Sequence, residues 1–175
     1  MAKRVNEEKI IESLSPDEAY TALMILLREN PDLKNKIFKI AEEILCDVDP
    51  EDIMDEVYSE LNDLEVEELW DRSGENRYGY VDPGDESWVM MDEVLDPYID
   101  EMKKYQERAM SIEAKQYCIG IIRGIRKYKI ESHSEFLNWA VDAPEEKIQS
   151  VFGEWKDGNP SIEDVAEVSQ ILEEK

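Results

Sequence analysis

The amino-acid sequence predicts an all-α protein in which about ten helices stack as antiparallel hairpins. Three observations lead to this prediction. Six of the seven prolines directly follow Ser, Asn or Asp, apolar residues recur at intervals of three and four, and patterns typical of β-strands are nearly absent. A short polar residue before proline is typical of a helix start, because its side chain accepts hydrogen bonds from the first amides and proline needs no amide partner there.

The prolines and the apolar spacing predict the helices in order along the chain. Each of the seven prolines, including Pro97, is interpreted as a helix start. Ile53, Val57 and Leu61 show the spacing that places apolar side chains on one helix face. Connections of two to five residues make successive helices antiparallel neighbours. The predicted helices span about residues 5–14, 16–29, 31–46, 50–62, 65–71, 85–95, 97–109, 111–129, 133–141, 144–156 and 161–174.

The chain is strongly acidic, with 44 acidic and 20 basic residues and a net charge of −24. Residues 47–101 carry 21 acidic groups and two basic ones, whereas residues 102–130 carry two acidic and eight basic groups. Direct binding to nucleic acid is disfavoured, because each phosphate contact needs a cation within a repulsive field. A basic protein partner suits this charge better. The alternative is that the charge only keeps the protein in solution.

Two glycines interrupt the most apolar predicted helix, residues 111–129. Gly120 and Gly124 each cost about 1 kcal/mol relative to alanine inside a helix. The sequence predicts that a neighbouring helix approaches closely where the two side chains are missing; the alternative is a groove that opens onto a ligand. Basic residues near the end of this helix and of the preceding one are interpreted as partners of the helix dipoles and of the acidic segment.

Catalytic and metal-binding signals are weak. The single histidine, His133, lies in a SHSEF stretch typical of a helix start, so we predict neither a catalytic nor a metal-binding role for it. The segment that begins at Asp47 resembles a calcium loop, but it has Asp52 where glycine is needed and Tyr58 where glutamate is needed. No catalytic residue, metal or cofactor is therefore predicted, and an enzyme is the less favoured class.

Length, cysteines and hydropathy predict one cytoplasmic domain. The 175 residues are enough for a single domain, residues 1–175, with candidate halves at 1–81 and 82–175. The two cysteines lie 72 positions apart, as expected for reduced thiols rather than a disulfide framework. The sequence shows neither a signal peptide nor a run of 18 apolar residues, so no membrane span is predicted. The oligomeric state is left open.

The stretch WDRSGENRYGYVDPGDESW, residues 70–88, differs from the rest of the chain. Its last third is a helix start at Asp82-Pro83, and Arg77 to Val81 is the only strand candidate. Arg72 and Arg77 are the only cations of residues 47–101. The candidate binding residues of this stretch are Trp70, Arg72, Arg77, Tyr78, Tyr80, Asp82 and Trp88.

Two interpretations of this stretch remain open. If the stretch is a structural connection, its arginines pair with Asp71, Asp82 or Asp85, and its aromatic rings fill the gap between two helical hairpins. As a binding site, the same guanidinium groups and rings form a small polar pocket or a docking surface for a partner.

Three sequence patterns carry a resemblance to a known family: WDRSG..RYGYVDP, W.M.DEVL.PY.DEMK.Y and YCIGII.GI. They resemble an uncharacterised family of acidic, all-helical prokaryotic proteins over roughly residues 15–157. The resemblance implies an all-helical fold. It implies no function and no role for any residue.

Together these features favour a non-enzymatic cytoplasmic interaction or scaffold protein whose acidic face binds a basic protein partner. One alternative is an enzyme or small-ligand-binding protein that holds an anionic metabolite at Arg72 and Arg77. Another alternative is a mimic of nucleic-acid charge.

Overall fold

The predicted all-α class is confirmed in a computed structural model that describes residues 7–77 and 79–173. Two short 3₁₀ segments and one small β-hairpin accompany the helices within these ranges. The α-helices are α1 (Glu7–Glu12), α2 (Pro16–Glu29), α3 (Lys34–Leu45), α4 (Pro50–Asn62), α5 (Val66–Arg72), α6 (Pro83–Glu107), α7 (Ser111–Glu131), α8 (Ala143–Asp157) and α9 (Ile162–Glu173).

The chain divides into two compact units, residues 1–47 and 48–175. This boundary lies between α3 and α4, and it does not coincide with the boundary between residues 81 and 82 that the sequence suggested. The single domain stays a prediction. The first unit carries 7 basic and 10 acidic groups, whereas the second carries 13 basic and 34 acidic ones, so the second unit holds most of the negative charge.

The first unit consists of α1, α2, the 3₁₀ turn Pro31–Leu33 and α3. Ser15 and Glu18 form a capping box at the start of α2: the Glu18 amide donates to Ser15 Oγ, and the Ser15 amide donates to the Glu18 carboxylate. Such reciprocal bonds satisfy two amides that have no partner inside the helix. Where the sequence predicts one helix at 31–46, the structure has a 3₁₀ turn followed by α3.

Helix α7 lies at the centre of the second unit and packs against α4, α6, α8 and α9. A Cβ atom built on Gly120 would lie 2.7 Å from Ile53 Cβ and 2.9 Å from the carbonyl oxygen of Pro50. The predicted close approach of a neighbouring helix at these glycines is thus confirmed, and the neighbour is α4. Its Ile53, Val57 and Leu61 are buried, as their spacing predicts.

Ion pairs tie α7 to the acidic segment, as the charge pattern predicts. Arg123 Nη1 lies 2.6 Å from a Glu51 carboxylate oxygen, and Lys127 Nζ lies 2.7 Å from Asp55 Oδ1. Both carboxylates belong to the first two turns of α4. These two contacts lie one helical turn apart along one side of the apolar α4–α7 interface.

The interpretation of Pro97 as a helix start is wrong. Pro97 lies inside α6, which continues for 25 residues where two helices, 85–95 and 97–109, were predicted. Leu95, Ile99 and Met102 are buried on both sides of the proline and keep the helical spacing. The predicted helix at 133–141 is also shorter and is a 3₁₀ segment, Glu135–Asn138, with Ser134 as its cap.

A small antiparallel hairpin joins α5 to α6. Strand β1 (Gly74–Asn76) pairs with β2 (Gly79–Val81), with Gly74 opposite Val81 and Asn76 opposite Gly79. The strand candidate around residues 77–81 contains β2, whereas Arg77 lies in the turn and β1 was not predicted. Gly79 has a φ of 139°, a conformation that glycine adopts without the steric cost that a side chain would add.

None of the helices in the ranges 7–77 and 79–173 is both long and apolar enough to cross a membrane.

Candidate functional site

Arg72, predicted as a binding residue, is surrounded by carboxylates. Its guanidinium lies 2.7 Å from Glu68 on the same helix and 2.7 Å from Glu93 on α6, with Glu86 at 3.7 Å. The hydrogen bonds that Arg72 donates to Glu93 and Glu68 raise the pKa of Arg72 further above its ordinary value. Arg72 therefore pairs with acidic residues, as the structural interpretation expected, but its partners are glutamates and not Asp71, Asp82 or Asp85.

These glutamates belong to a longer acidic surface. Residues at positions 86, 93, 96 and 100 of α6 are seven, three and four apart, so they lie along one helix face. Glu68 of α5 joins this face through Arg72. We call this surface the acidic stripe, and it comprises Glu68, Glu86, Glu93, Asp96 and Asp100.

The acidic stripe keeps a surplus of negative charge. Arg72 neutralises one of the three carboxylates around it. The hydrogen bond to Glu154 of α8 is the main cause that raises the pKa of Lys103, and the charges of Asp100 and Asp96 add to it; the ion pair of Lys103 is with Glu154. All stripe residues except Glu86 are exposed. From Glu86 to Asp100 the stripe extends over about 21 Å, at 1.5 Å per helical residue.

Trp70 lies apart from Arg72, although the two residues are close in sequence. Successive helical residues are about 100° apart, so positions 70 and 72 point about 200° from each other around α5. Leu69 is buried, and Trp70 and Arg72 flank it on opposite sides. The two side chains therefore point to different sides of α5.

Trp70 instead contacts Trp139, which sequence reasoning missed. The two rings meet edge to face with centroids 4.8 Å apart, and Trp70 is 51% and Trp139 39% exposed. The buried Ser87 hydroxyl donates to the Trp139 carbonyl oxygen at 3.1 Å and holds this turn against α6. Two exposed indoles in contact present an aromatic surface of the kind that is enriched in protein interfaces.

The other predicted site residues are dispersed. Asp82 caps α6 by accepting a hydrogen bond of 2.8 Å from the Gly84 amide. Tyr80 is exposed on β2, and Trp88 is half-buried beneath Lys147, whose Nζ lies 5.0 Å from the ring centroid. Arg77 is exposed in the hairpin turn, and Tyr78 lies outside the described residues. The rings expected to fill a gap between hairpins were those of Trp70, Tyr78, Tyr80 and Trp88, and of these Trp70 and Tyr80 are more than half exposed.

A cleft of about 470 Å³ lies elsewhere, between the adjoining ends of α6, α7, α8 and α9. Ala109 and Asn159 line it with φ values of 58° and 55°, the left-handed conformation common at helix ends. Its polar groups bond one another: Gln106 Nε2 donates to the Trp155 carbonyl, and Asp164 accepts hydrogen bonds from Ser161 and from the neighbouring Lys115. The cleft therefore offers a ligand few unoccupied polar groups.

No arrangement of three or more His, Cys, Asp or Glu side chains that could hold a metal ion occurs in the described part of the chain. Comparison with family models, with curated proteins and with solved structures finds no protein that matches this chain. The family resemblance of the sequence therefore stays a prediction.

Proposed function

We propose that the protein is a non-enzymatic interaction protein and that its acidic stripe binds a basic segment of a protein partner. The observation that supports the proposal is the carboxylate surplus along α6, where Arg72 leaves two of its three neighbouring carboxylates uncompensated. Lys and Arg side chains of a partner would gain charge-assisted hydrogen bonds there. Electrostatic attraction of this kind also raises the association rate.

The spacing of the stripe favours a helical or extended basic segment. Glu93, Asp96 and Asp100 stand three and four residues apart on an exposed helix face. A partner helix with Lys or Arg at intervals of three and four would match these positions. Val89, on the same face between Glu86 and Glu93, is 47% exposed and adds an apolar contact.

An anionic metabolite at Arg72 is less well supported. Such a ligand would have to displace Glu68 and Glu93, which both lie 2.7 Å from the guanidinium, and it would enter a field of negative charge.

The test measures binding of a labelled, lysine-rich helical peptide by fluorescence anisotropy. The variant E93Q/D96N/D100N removes three charges from the stripe. The control E146Q/D157N/E163Q removes two exposed charges from α8 and one from α9. We expect the stripe variant to lose at least about tenfold in affinity at low salt, equivalent to about 1.4 kcal/mol, and the control to lose much less. Equal losses in both variants would show that only net charge matters, and would contradict the proposal.

Raising the salt concentration gives a second readout. Wild-type affinity should fall steeply as exposed charges are screened, whereas the stripe variant should respond less. Binding that ignores salt would exclude the electrostatic mechanism. A mimic of nucleic-acid charge, the remaining alternative, predicts that DNA fragments displace its natural partner.

A further inference from the structure

Trp70 and Trp139 are the two most exposed tryptophans of the second unit, and their rings are in contact. The second unit by itself leaves at least 51% of Trp70 and 39% of Trp139 uncovered, whereas Trp155 is buried. Tryptophan is a large side chain that is highly buried on average. Packing within the second unit therefore does not explain why two indoles are exposed side by side.

The fold holds both rings in place. Leu69, next to Trp70, is buried, and so is Phe136, one 3₁₀ turn before Trp139. The Trp139 amide donates to the Phe136 carbonyl oxygen at 2.9 Å, and the Ser87 hydroxyl donates to the Trp139 carbonyl oxygen. Because the backbone at both rings is fixed before a partner arrives, little ordering is needed on binding.

The two rings form an open corner, which we call the aromatic corner. Their planes meet at 80° with centroids 4.8 Å apart, so a group placed in the corner can contact the faces of both rings. The face of an aromatic ring is negative, and the indole face attracts cations more strongly than the other side-chain rings do. A planar guanidinium can stack on one face while its N–H groups point towards the other. The geometry therefore suits arginine.

Other aromatic rings of the chain already have a cation of their own. Within the described residues, a lysine or arginine side chain lies over each of four rings, 4.5–5.7 Å from the centroid. These rings belong to Tyr58, Trp88, Tyr105 and Phe152. No lysine or arginine of residues 7–77 and 79–173 lies over Trp70 or Trp139. Their faces are left for a cation from another molecule.

The two segments that carry the aromatic corner attract cations. Residues 63–71 hold five acidic groups and residues 132–142 hold two, and neither segment contains lysine or arginine. Glu67 is exposed and stands three positions before Trp70 on α5, so the two side chains are neighbours on the helix surface. An arginine gains both the ring contact and the attraction of these carboxylates. A proline-rich segment, which aromatic surfaces also bind, gains nothing from the charge.

We propose that the aromatic corner binds an arginine side chain of a protein partner, with Glu67 as the neighbouring carboxylate. The arginine belongs to a polypeptide, because a corner this open encloses too little of a free small molecule to hold it. This site goes beyond the proposed function. It depends on ring faces rather than on the acidic stripe, and Trp70 and Arg72 point to different sides of α5.

The indole N–H signals in nuclear magnetic resonance spectra test the proposal on the 175-residue chain. The chain has four tryptophans, and each signal is assigned by replacing one tryptophan with phenylalanine. The probe is a short peptide of alternating arginine and glycine. We expect it to shift the signals of Trp70 and Trp139 and to leave the signal of buried Trp155 unchanged. A matched peptide with citrulline, which has the shape of arginine without its charge, should shift none of them.

Substitutions at Trp70 separate the ring face from a general apolar contact. Affinity for the arginine peptide, followed at the Trp139 signal, should fall in the order wild type, W70F and W70L. Phenylalanine keeps a weaker negative face, whereas leucine has none, and we expect W70L to lose about threefold or more. The control Y80L removes another exposed ring and should bind as wild type does. An unchanged Trp155 signal shows that each variant keeps its fold.

The stripe variant E93Q/D96N/D100N distinguishes this proposal from the proposed function. With the arginine peptide its Trp70 and Trp139 signals should still shift, even though its affinity for the lysine-rich peptide falls. A stripe variant that keeps its affinity for the lysine-rich peptide would contradict the proposed function alone. Shifts that vanish in the stripe variant would instead place the arginine peptide on the stripe and overturn the arginine site.

Four further results would overturn the arginine site. They are a wild type whose Trp70 and Trp139 signals do not shift, equal shifts with the citrulline peptide, a W70L variant that binds as tightly as wild type, and a Y80L variant that loses as much as W70L. A second copy of the chain over the rings would also exclude an arginine there. That arrangement would appear as a shift of both signals when the protein is diluted without peptide.

Discussion

Gly120 and Gly124 determine how closely α4 approaches α7. A Cβ atom on Gly124 would lie 2.7 Å from Val57 Cβ and 2.9 Å from the Met54 carbonyl oxygen. These atoms belong to the backbone or are attached directly to it, so a rotamer change cannot move them away. The cost of glycine in a helix, about 1 kcal/mol, is thus offset by the packing of two helices at short distance.

Substitution of Gly124 by alanine should therefore destabilise the protein. We expect G124A to lower the free energy of unfolding by about 1–3 kcal/mol, because the added methyl forces α4 away from α7. The control is G153A in α8, where a Cβ atom would meet nothing within 4 Å. That variant should be more stable than wild type by about 0.5–1 kcal/mol, the ordinary gain in a helix interior. Urea unfolding measures the change in unfolding free energy for both variants. Changes of the same sign would contradict the close approach of α4 to α7 at Gly124.

The contacts of Arg72 and Trp70 show which features of the candidate site the sequence can predict and which it cannot. The acidic surroundings of Arg72 were predictable in kind, because nearly all charged residues near it in sequence are acidic. The particular partners were not, since Glu86 and Glu93 reach Arg72 only when α6 packs beside α5. Trp139 stands 69 positions after Trp70, and nothing in the local sequence indicates their contact.

Three long helices begin at a proline that follows Ser or Asp, as the sequence predicts. Pro16, Pro50 and Pro83 begin α2, α4 and α6. Pro97 follows Asp96 and carries the same local signal, yet the helix continues. Pro97 is exposed, so water can satisfy the carbonyl of Glu93 that lacks an amide donor. The dipeptide alone therefore does not determine whether a helix starts at a proline or continues through it.

Helix α9 is attached to α7 by polar contacts at both ends. Near its start, Asp164 Oδ1 lies 2.7 Å from Lys115 Nζ and Asp164 Oδ2 accepts a 2.6 Å bond from Ser161. Near its end, Arg126 donates to the carbonyl oxygens of Ile171 and Leu172. The Lys115 hydrogen bond is the main cause that lowers the pKa of Asp164 below its ordinary value of 3.8.

Acid should weaken this attachment. Because the pKa of Asp164 is lower in the folded state, its stabilising effect is present above the unfolded pKa and is lost as pH falls through the folded pKa. We expect D164N to be less stable than wild type by about 1 kcal/mol at pH 7, as is typical for loss of a helix cap and a surface ion pair. The difference should shrink as pH falls below 3.8 and through the lowered pKa of Asp164, because wild-type Asp164 then becomes neutral as well.

Unfolding in urea at several pH values measures this difference. The control E163Q removes a carboxylate from the same turn and should have a smaller effect. A deficit of D164N that stays constant as pH falls through the lowered pKa of Asp164 would mean that packing, and not the ionised carboxylate, accounts for it.

Across the whole molecule, charge repulsion opposes a set of weak ion pairs. Residues 48–175 hold 34 acidic groups against 13 basic ones. Ion pairs such as Lys127–Asp55 and Lys129–Glu145 are largely exposed, and pairs of this kind contribute little to stability because water and salt screen them. Repulsion acts among many more carboxylates than these pairs compensate. The compact state is therefore destabilised by its own charge.

Salt should consequently stabilise the protein. We expect the melting temperature to rise between about 0.02 and 0.5 M sodium chloride, because the screening length falls well below the spacing of most surface carboxylates. The experiment uses a chloride salt and not a sulfate salt, because sulfate also raises the melting temperature by strengthening the burial of apolar groups. The variant E93Q/D96N/D100N has fewer adjacent charges along α6 and should show a smaller rise. A melting temperature that falls with salt would mean that ion pairs, rather than repulsion, dominate the electrostatic free energy of folding.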